Sequence, residues 1–138
     1  MAVLTIDEIK VGDSHIEEIK LTAEWVSRFI DLTQDTAGIH TSESFSRRRG
    51  FDDLVVHGFL LSVQFSRILG MHLPGETSVI GSLELNFQQP VYVGDTVRYT
   101  ATVTRVLRPL GTVLLELHIE KPDGSRCVEG KTTCVFET

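Results

Sequence analysis

Two residues whose side chains can transfer protons lie five positions apart in the stretch TQDTAGIHTS, residues 33–42: Asp35 and His40. A carboxylate and an imidazole that meet at one water molecule can act as a general acid–base pair. Residues five apart point about 140° away from each other on an α-helix and face opposite sides of a sheet on a strand. We therefore expect the chain to leave regular structure between them, with Gly38 as the residue that permits the bend.

The composition indicates one globular domain spanning residues 1–138. Hydrophobic residues make up 41% of the chain and charged residues 23%, proportions that allow a substantial buried core. The net charge of −6 argues against a nucleic-acid partner or an anionic membrane surface. No apolar run is long enough to span a bilayer, and the N-terminal segment lacks the features of a signal peptide, so we expect a cytoplasmic protein.

Cys127 and Cys134 are the only cysteines, and they lie seven positions apart. On one strand they would face opposite sides of the sheet and could not form a disulfide. Their spacing is also not that of zinc ligands. Unpaired thiols are typical of a reducing compartment.

Two helices are predicted around the Asp35–His40 segment. In residues 22–33, TAEWVSRFIDLT, apolar side chains recur at helical spacing and Thr22 is a suitable N-cap. This helix would deliver the chain to Asp35. A shorter helix is expected over residues 42–49, ending at Gly50.

The most apolar helix is predicted over residues 58–70, GFLLSVQFSRILG. Apolar side chains occupy most of its circumference, which is typical of a buried helix. One line of small residues along it would allow close approach by another element or by an acyl chain: Gly58, Ser62, Ser66 and Gly70.

The second half of the chain has the period-two alternation of strands. It is clear in residues 78–88, 95–107 and 112–120, and the turn sequences YVGD, RPLG and KPDG separate the runs. Consecutive strands with short turns predict an antiparallel sheet with one covered face. A buried helix before these strands predicts an α+β fold in which the sheet wraps around a central helix.

Three segments of the chain resemble the (R)-specific enoyl-CoA hydratases of the MaoC-like dehydratase family, whose members have the hot-dog fold. These are DTAGIH with its D-x4-H pair, the His-Gly start of VVHGFLLSVQFSRILG, and the strand and turn FQQPVYVGD. The resemblance extends from about Leu21 to the last strand.

The resemblance implies a role for several residues. Asp35 and His40 would be the acid–base pair, and the backbone N–H of Gly58 would bind the developing oxyanion. Ser66 would lie beside the catalytic pair. The stripe of small residues adds that Ser62 and Ser66 could let an acyl chain or the catalytic loop lie against the central helix. His57, considered separately, would either take part in catalysis or hold loop backbone at the start of the helix.

The chain departs from the family pattern in the catalytic loop. Ala37 stands where asparagine is usual, Gly38 where proline is usual, and Ser42 where an aspartate often follows the histidine. The loop therefore lacks the rigidity of a proline and one amide that could hold its backbone.

The resemblance implies reversible hydration of trans-2-enoyl thioesters of coenzyme A or an acyl-carrier protein to (R)-3-hydroxyacyl thioesters by a homodimer. It implies no metal and no redox cofactor; coenzyme A or phosphopantetheine would belong to the substrate. Two alternatives remain open: an acyl-CoA thioesterase and a non-catalytic subunit that binds acyl thioesters. Arg47, Arg48 and Arg49 could contact substrate phosphates or form a solvated helix face.

Overall fold

The computed structural model describes residues 1–137, and in this part of the chain five strands form one antiparallel sheet in the order β1-β3-β4-β5-β2. The strands follow β1 Ser14–Lys20, β2 Ser78–Phe87, β3 Thr96–Leu107, β4 Thr112–Glu120 and β5 Arg126–Phe136. The helices are α1 Ala23–Thr33, α2 Gly38–Thr41, α3 Glu43–Arg48 and α4 Gly58–Met71.

The core lies between α4 and the covered face of the sheet. Alternate side chains of β3 and β4 are buried as their period of two predicts, and they meet the buried side of α4. The hydroxyl of Tyr99 donates to the carbonyl of Leu61 at 3.0 Å, and its ring packs edge-on against Phe65. The predicted α+β architecture, with an antiparallel sheet around a central helix, is confirmed.

Strand β1 and helix α2 have no counterpart among the predicted elements, and neither do the short 3-10 helices Ile6–Glu8 and Arg108–Leu110. Strand β1 has Ile16 exposed and Ile19 buried, and their spacing of three conceals the period of two. This strand pairs with β3 and forms one edge of the sheet. Helix α2 has only four residues, too few for a periodic pattern.

The prediction that α4 is buried around most of its circumference is wrong for one face. Phe59 is 81% exposed and Val63 is 48% exposed. Strand β2, beside them, is the other edge of the sheet and exposes Val79, Leu83 and Phe87. Periodicity identifies side chains that avoid water, but it does not say which element covers them.

Gly38 does not make the bend between Asp35 and His40. The chain leaves α1 at Gln34, whose φ of 61° lies in the left-handed region. Gly38 begins α2 and is small for another reason: a Cβ atom there would lie 2.6 Å from the ring of Phe45. Its lack of a side chain therefore allows α3 to pack against the loop.

Cys127 and Cys134 both lie on β5, where they are buried and free, as expected for two cysteines that do not form a disulfide. None of the helices within residues 1–137 has the length and hydrophobicity that a membrane span requires.

Candidate active site

Two hydrogen bonds hold Asp35 in the segment between α1 and α2, one through its backbone and one through its side chain. Its N–H donates to the hydroxyl of Thr33 at 3.2 Å, and its Oδ1 accepts from the N–H of Ala37 at 3.2 Å. The second bond closes a side-chain turn of the kind that aspartate commonly makes. Helix α2 then carries His40 back toward the carboxylate.

Asp35 and His40 lie together despite their spacing in the sequence. One ligand atom from each of Asp35, His40 and His57 can be chosen so that all three lie within 4.8 Å of one another. Two hydrogen bonds of about 2.8 Å that meet at one water span a gap of this size. The carboxylate and the imidazole can therefore hold a single water molecule between them.

The hydrogen bond of His40 determines which nitrogen faces the reactants. Its Nδ1–H donates to the carbonyl of Val55 at 2.6 Å, which leaves Nε2 with a free lone pair. Partial burial lowers the pKa of His40, and the neighbouring His57 adds to this effect, against the opposing influence of Val55 and Asp35. The neutral imidazole, which can accept a proton, is thus favoured near neutral pH.

His57 lies directly beneath this pair. It is buried, its ring stacks on that of His40 at 3.8 Å between centroids, and Phe29 packs against its edge. Its Nε2–H donates to the backbone carbonyl of Asp35 at 3.1 Å. Its Nδ1 is buried without a hydrogen-bond partner among the described residues. His57 thereby positions the backbone of one catalytic candidate and the ring of the other.

A cleft of about 980 Å³ opens above these three side chains. Gly58 lies in it as the first residue of α4, and no side chain caps the helix there. The free N–H groups of a helix N-terminus, together with the helix dipole, stabilise negative charge. A Cβ atom on Gly58 would lie 3.1 Å from the ring of Phe87, so glycine keeps the backbone accessible.

The predicted stripe of small residues divides between two cavities. Ser62 lines the large cleft with Gly58, and its hydroxyl donates to the Gly58 carbonyl at 2.8 Å. Ser66 is exposed and lies farther along α4, where it lines a second cavity of about 220 Å³ with Gly70. The structure does not bring Ser66 together with Asp35 and His40, and its role stays a prediction.

Among residues 1–137, two groups of side chains have donor atoms that a metal ion could use. In the group of Asp35, His40 and His57, one nitrogen of each ring is bonded to a carbonyl, and the stacked rings are 22° apart. Lone pairs in such nearly parallel rings do not converge on one point. In the other group, both carboxylate oxygens of Glu17 are bonded, to His15 and Arg67.

Sequence reasoning did not identify some residues of the site. The Val55 carbonyl is a backbone group, and no residue type signals it. Phe29 and Phe87 were assigned only to apolar faces of their elements, yet both line the cleft. The D-x4-H pair and the His-Gly start of α4 were the signals that located the site.

Comparison with known proteins places the chain among thioester hydratases and dehydratases. Residues 8–112 match the family described as "MaoC like domain". The (R)-specific enoyl-CoA hydratase of Aeromonas caviae is 30% identical over 93% of this chain and 96% of that protein. The 3-hydroxybutyryl-CoA dehydratase of Methylorubrum extorquens is 33% identical over 78% of this chain and 68% of that protein.

A solved structure supports the same relationship. The structure titled as the (R)-hydratase from A. caviae involved in PHA biosynthesis superposes with a TM-score of 0.88. The two sequences are 29% identical, and the alignment covers 94% of this chain and 98% of the other. The expected hot-dog fold is thus confirmed.

Proposed function

The chain belongs to the MaoC-like domain family, and from that premise we propose that it is a hydro-lyase that reversibly hydrates trans-2-enoyl thioesters to (R)-3-hydroxyacyl thioesters. The observation that carries the proposal is the facing pair Asp35 and His40 at the N-terminus of α4. The names of its relatives support the thioester and the stereochemistry.

The proposed reaction begins with a water molecule held between Asp35 and His40. The free Nε2 of His40 removes one proton while the oxygen of the water adds to C3. The second hydrogen stays on this oxygen and donates a hydrogen bond to the Asp35 carboxylate, which orients the water. The electrons of the double bond move toward the thioester carbonyl, whose oxygen becomes negative. The imidazolium then returns its proton to C2, so that the elements of water are added across the double bond.

The N–H of Gly58 would stabilise the negative thioester oxygen. A preorganised donor of this kind acts where charge develops, and loss of one has cost ~3–4 kcal/mol of barrier in a studied enzyme. The proposal requires no metal ion and no redox cofactor, since the thioester carbonyl itself withdraws the electrons.

The apolar wall of the cleft is suited to the acyl chain. Its lining includes Phe59, Val63, Leu83 and Leu85, with polar groups only at the catalytic end. Burial of an acyl chain there would be favourable by about 25 cal/mol for each Å² of apolar surface removed from water.

We propose that a second copy of the chain covers the exposed face formed by Phe59, Val63, Leu83 and Phe87. These apolar residues are neighbours on α4 and on the edge strand β2. Exposed apolar surface of this kind marks an interface, and an unpaired edge strand readily pairs with another chain. The cleft lies against this face, so the homodimer would enclose the substrate.

The experiment is to add crotonyl-CoA and to record the enoyl absorbance and free thiol in the same sample. Hydration consumes the double bond without releasing thiol, which is the expected result. Release of thiol would instead identify a thioesterase. No change with crotonyl-CoA or with longer enoyl-CoA thioesters would contradict the proposal and favour a non-catalytic binding subunit.

A further inference from the structure

A second groove meets the large cleft at the catalytic pair. It has a volume of about 420 Å³, and it shares His40, Gly58 and Phe87 with the large cleft. Its lining also includes Gln89, Pro90 and Phe51. A thioester whose carbonyl lies at Gly58 has two arms, the acyl chain and the carrier, and two grooves leave this point.

The second groove combines an apolar lining with two carboxamides. Like the large cleft, it is lined mainly by apolar side chains, and its lining also includes Gln88 and Gln89. The Gln88 carboxamide is already bonded, because it donates to Glu129 at 3.0 Å. The Gln89 side chain is exposed and makes no hydrogen bond to another residue of the described chain. A carboxamide that can both donate and accept is suited to the amides of a pantetheine arm.

Three consecutive arginines end two positions before Phe51, a residue of the groove lining. Arg47 and Arg48 end α3, Arg49 caps it, and Gly50 connects them to Phe51. Two residues of chain extend no more than about 7 Å, so Arg49 lies close to the groove lining. The guanidinium of Arg48 lies 5.8 Å from the ring centroid of Phe45.

The arginine patch, Arg47–Arg49, is also fixed relative to the catalytic loop. The ring of Phe45 packs directly against Gly38, two positions before His40. All three arginine side chains are exposed, and within residues 1–137 none forms a salt bridge. Exposed guanidinium groups without a salt bridge can bind an anion without first breaking an ion pair with a carboxylate of the protein.

On the basis of the proposed function, we propose that the arginine patch binds the phosphates of coenzyme A and that the second groove holds its pantetheine arm. Guanidinium binds phosphate through paired hydrogen bonds. The patch is compact, which fits a small ligand. The chain as a whole carries a net charge of −6, which disfavours a broad contact with an acidic carrier protein.

The test compares two substrates with the same acyl group, crotonyl-CoA and crotonyl-pantetheine, which lacks the nucleotide phosphates. The variant is Arg47→Gln/Arg48→Gln/Arg49→Gln. The control Lys10→Gln/Lys20→Gln/Arg105→Gln removes the same charge from other exposed positions. We expect the patch variant to raise KM for crotonyl-CoA about tenfold or more, because hydrogen bonds to charged groups are worth that much.

The proposal predicts further results for the same variants. The kcat and the KM for crotonyl-pantetheine should stay at the wild-type values in the patch variant, and the control should change neither substrate. Added salt should raise KM for crotonyl-CoA in the wild type and have little effect in the patch variant. Gln89→Leu should raise KM for both substrates, since both contain pantetheine.

Equal effects of the patch variant on both substrates, or an unchanged KM for crotonyl-CoA, would overturn the proposal. So would a loss of activity confined to a carrier-protein thioester, which would indicate a protein-docking patch. Calorimetric binding of free coenzyme A to the wild type and to the patch variant tests the patch without turnover. A patch that binds coenzyme A in a protein without hydratase activity would contradict the proposed function and leave the binding site standing.

Discussion

His40 donates its Nδ1 hydrogen to the backbone carbonyl of Val55 at 2.6 Å, a bond between residues fifteen positions apart. The bond holds the ring in one tautomer, with Nε2 unprotonated. Because the acceptor is a backbone carbonyl, it cannot lose this role by titration. The protonation state of His40 therefore controls whether the site has a base.

The pH dependence of kcat/KM should show that catalysis needs His40 in its neutral form. Burial lowers the pKa of His40 below its ordinary value of 6.5. The active form is the neutral one, so activity should persist as the pH falls below 6.5 and decline only through the lowered pKa. The measurement is the acid limb of kcat/KM with crotonyl-CoA. A midpoint at or above 6.5 would contradict this role of His40.

His57 should act by positioning its neighbours. His57→Phe keeps an aromatic ring under His40 but removes the bond to the Asp35 carbonyl, so kcat should fall about tenfold or more from misplaced reacting groups. The variant also removes the electrostatic influence of the His57 imidazole, which lowers the pKa of His40, so the acid limb should move up toward 6.5. The buried unpartnered Nδ1 disappears in this variant, so the melting temperature should not decrease.

His57→Gln is the matched variant for that experiment. Its terminal amide can restore the bond to the Asp35 carbonyl, and part of kcat should return. Wild-type kcat in His57→Phe, or equal losses in the two variants, would show that the bond has no role in positioning.

Gly58→Ala tests the backbone contact at the N-terminus of α4. The added methyl would lie 3.1 Å from the ring of Phe87 and would narrow the space for the thioester oxygen. We expect kcat to fall about tenfold or more. Gly70→Ala, in the same helix, has no atom within 4 Å of the added methyl and is the control. That control should keep its kcat and gain about 0.5–1 kcal/mol in the free energy of unfolding.

The proposed dimer face can be tested with two exposed apolar residues. Phe59 on α4, within that face, is 81% exposed, and Leu110, outside that face, is 68% exposed. Phe59→Arg should convert the dimer to a monomer in sedimentation velocity, because a buried charge without a partner is costly. Leu110→Arg should leave the dimer intact. A monomeric wild type, or dimers in both variants, would contradict the assignment of this face.

Sequence reasoning was most successful where side chains alone carry the information. The alternation in β3 and β4 predicted the covered face of the sheet, and D-x4-H followed by His-Gly predicted the residues that line the cleft. It failed at β1, because Ile16 is exposed and Ile19 is buried three positions later, so the apolar residues of this strand show no period of two. It also could not find the Val55 carbonyl, because every residue has that group and only the folded chain selects one.

The faces of α4 show a different limit. The sequence marks Phe59 and Val63 as apolar in the same way as Phe65, yet the first two are exposed and the third is buried. Hydrophobicity shows that a residue avoids water, whereas the covering surface can belong to the same chain or to another. Likewise, the spacing of Ser66 from Ser62 places both on one stripe but does not say which cavity each one lines.

The central claim is tested most directly by turnover of crotonyl-CoA in Asp35→Asn and His40→Ala, measured beside the wild type with chiral analysis of the product. The account predicts (R)-3-hydroxybutyryl-CoA from the wild type. In each variant kcat should fall ~10²–10⁴-fold, the range for loss of a positioned acid–base group, with melting temperature and assembly unchanged. A folded variant of either kind that keeps wild-type turnover would contradict it.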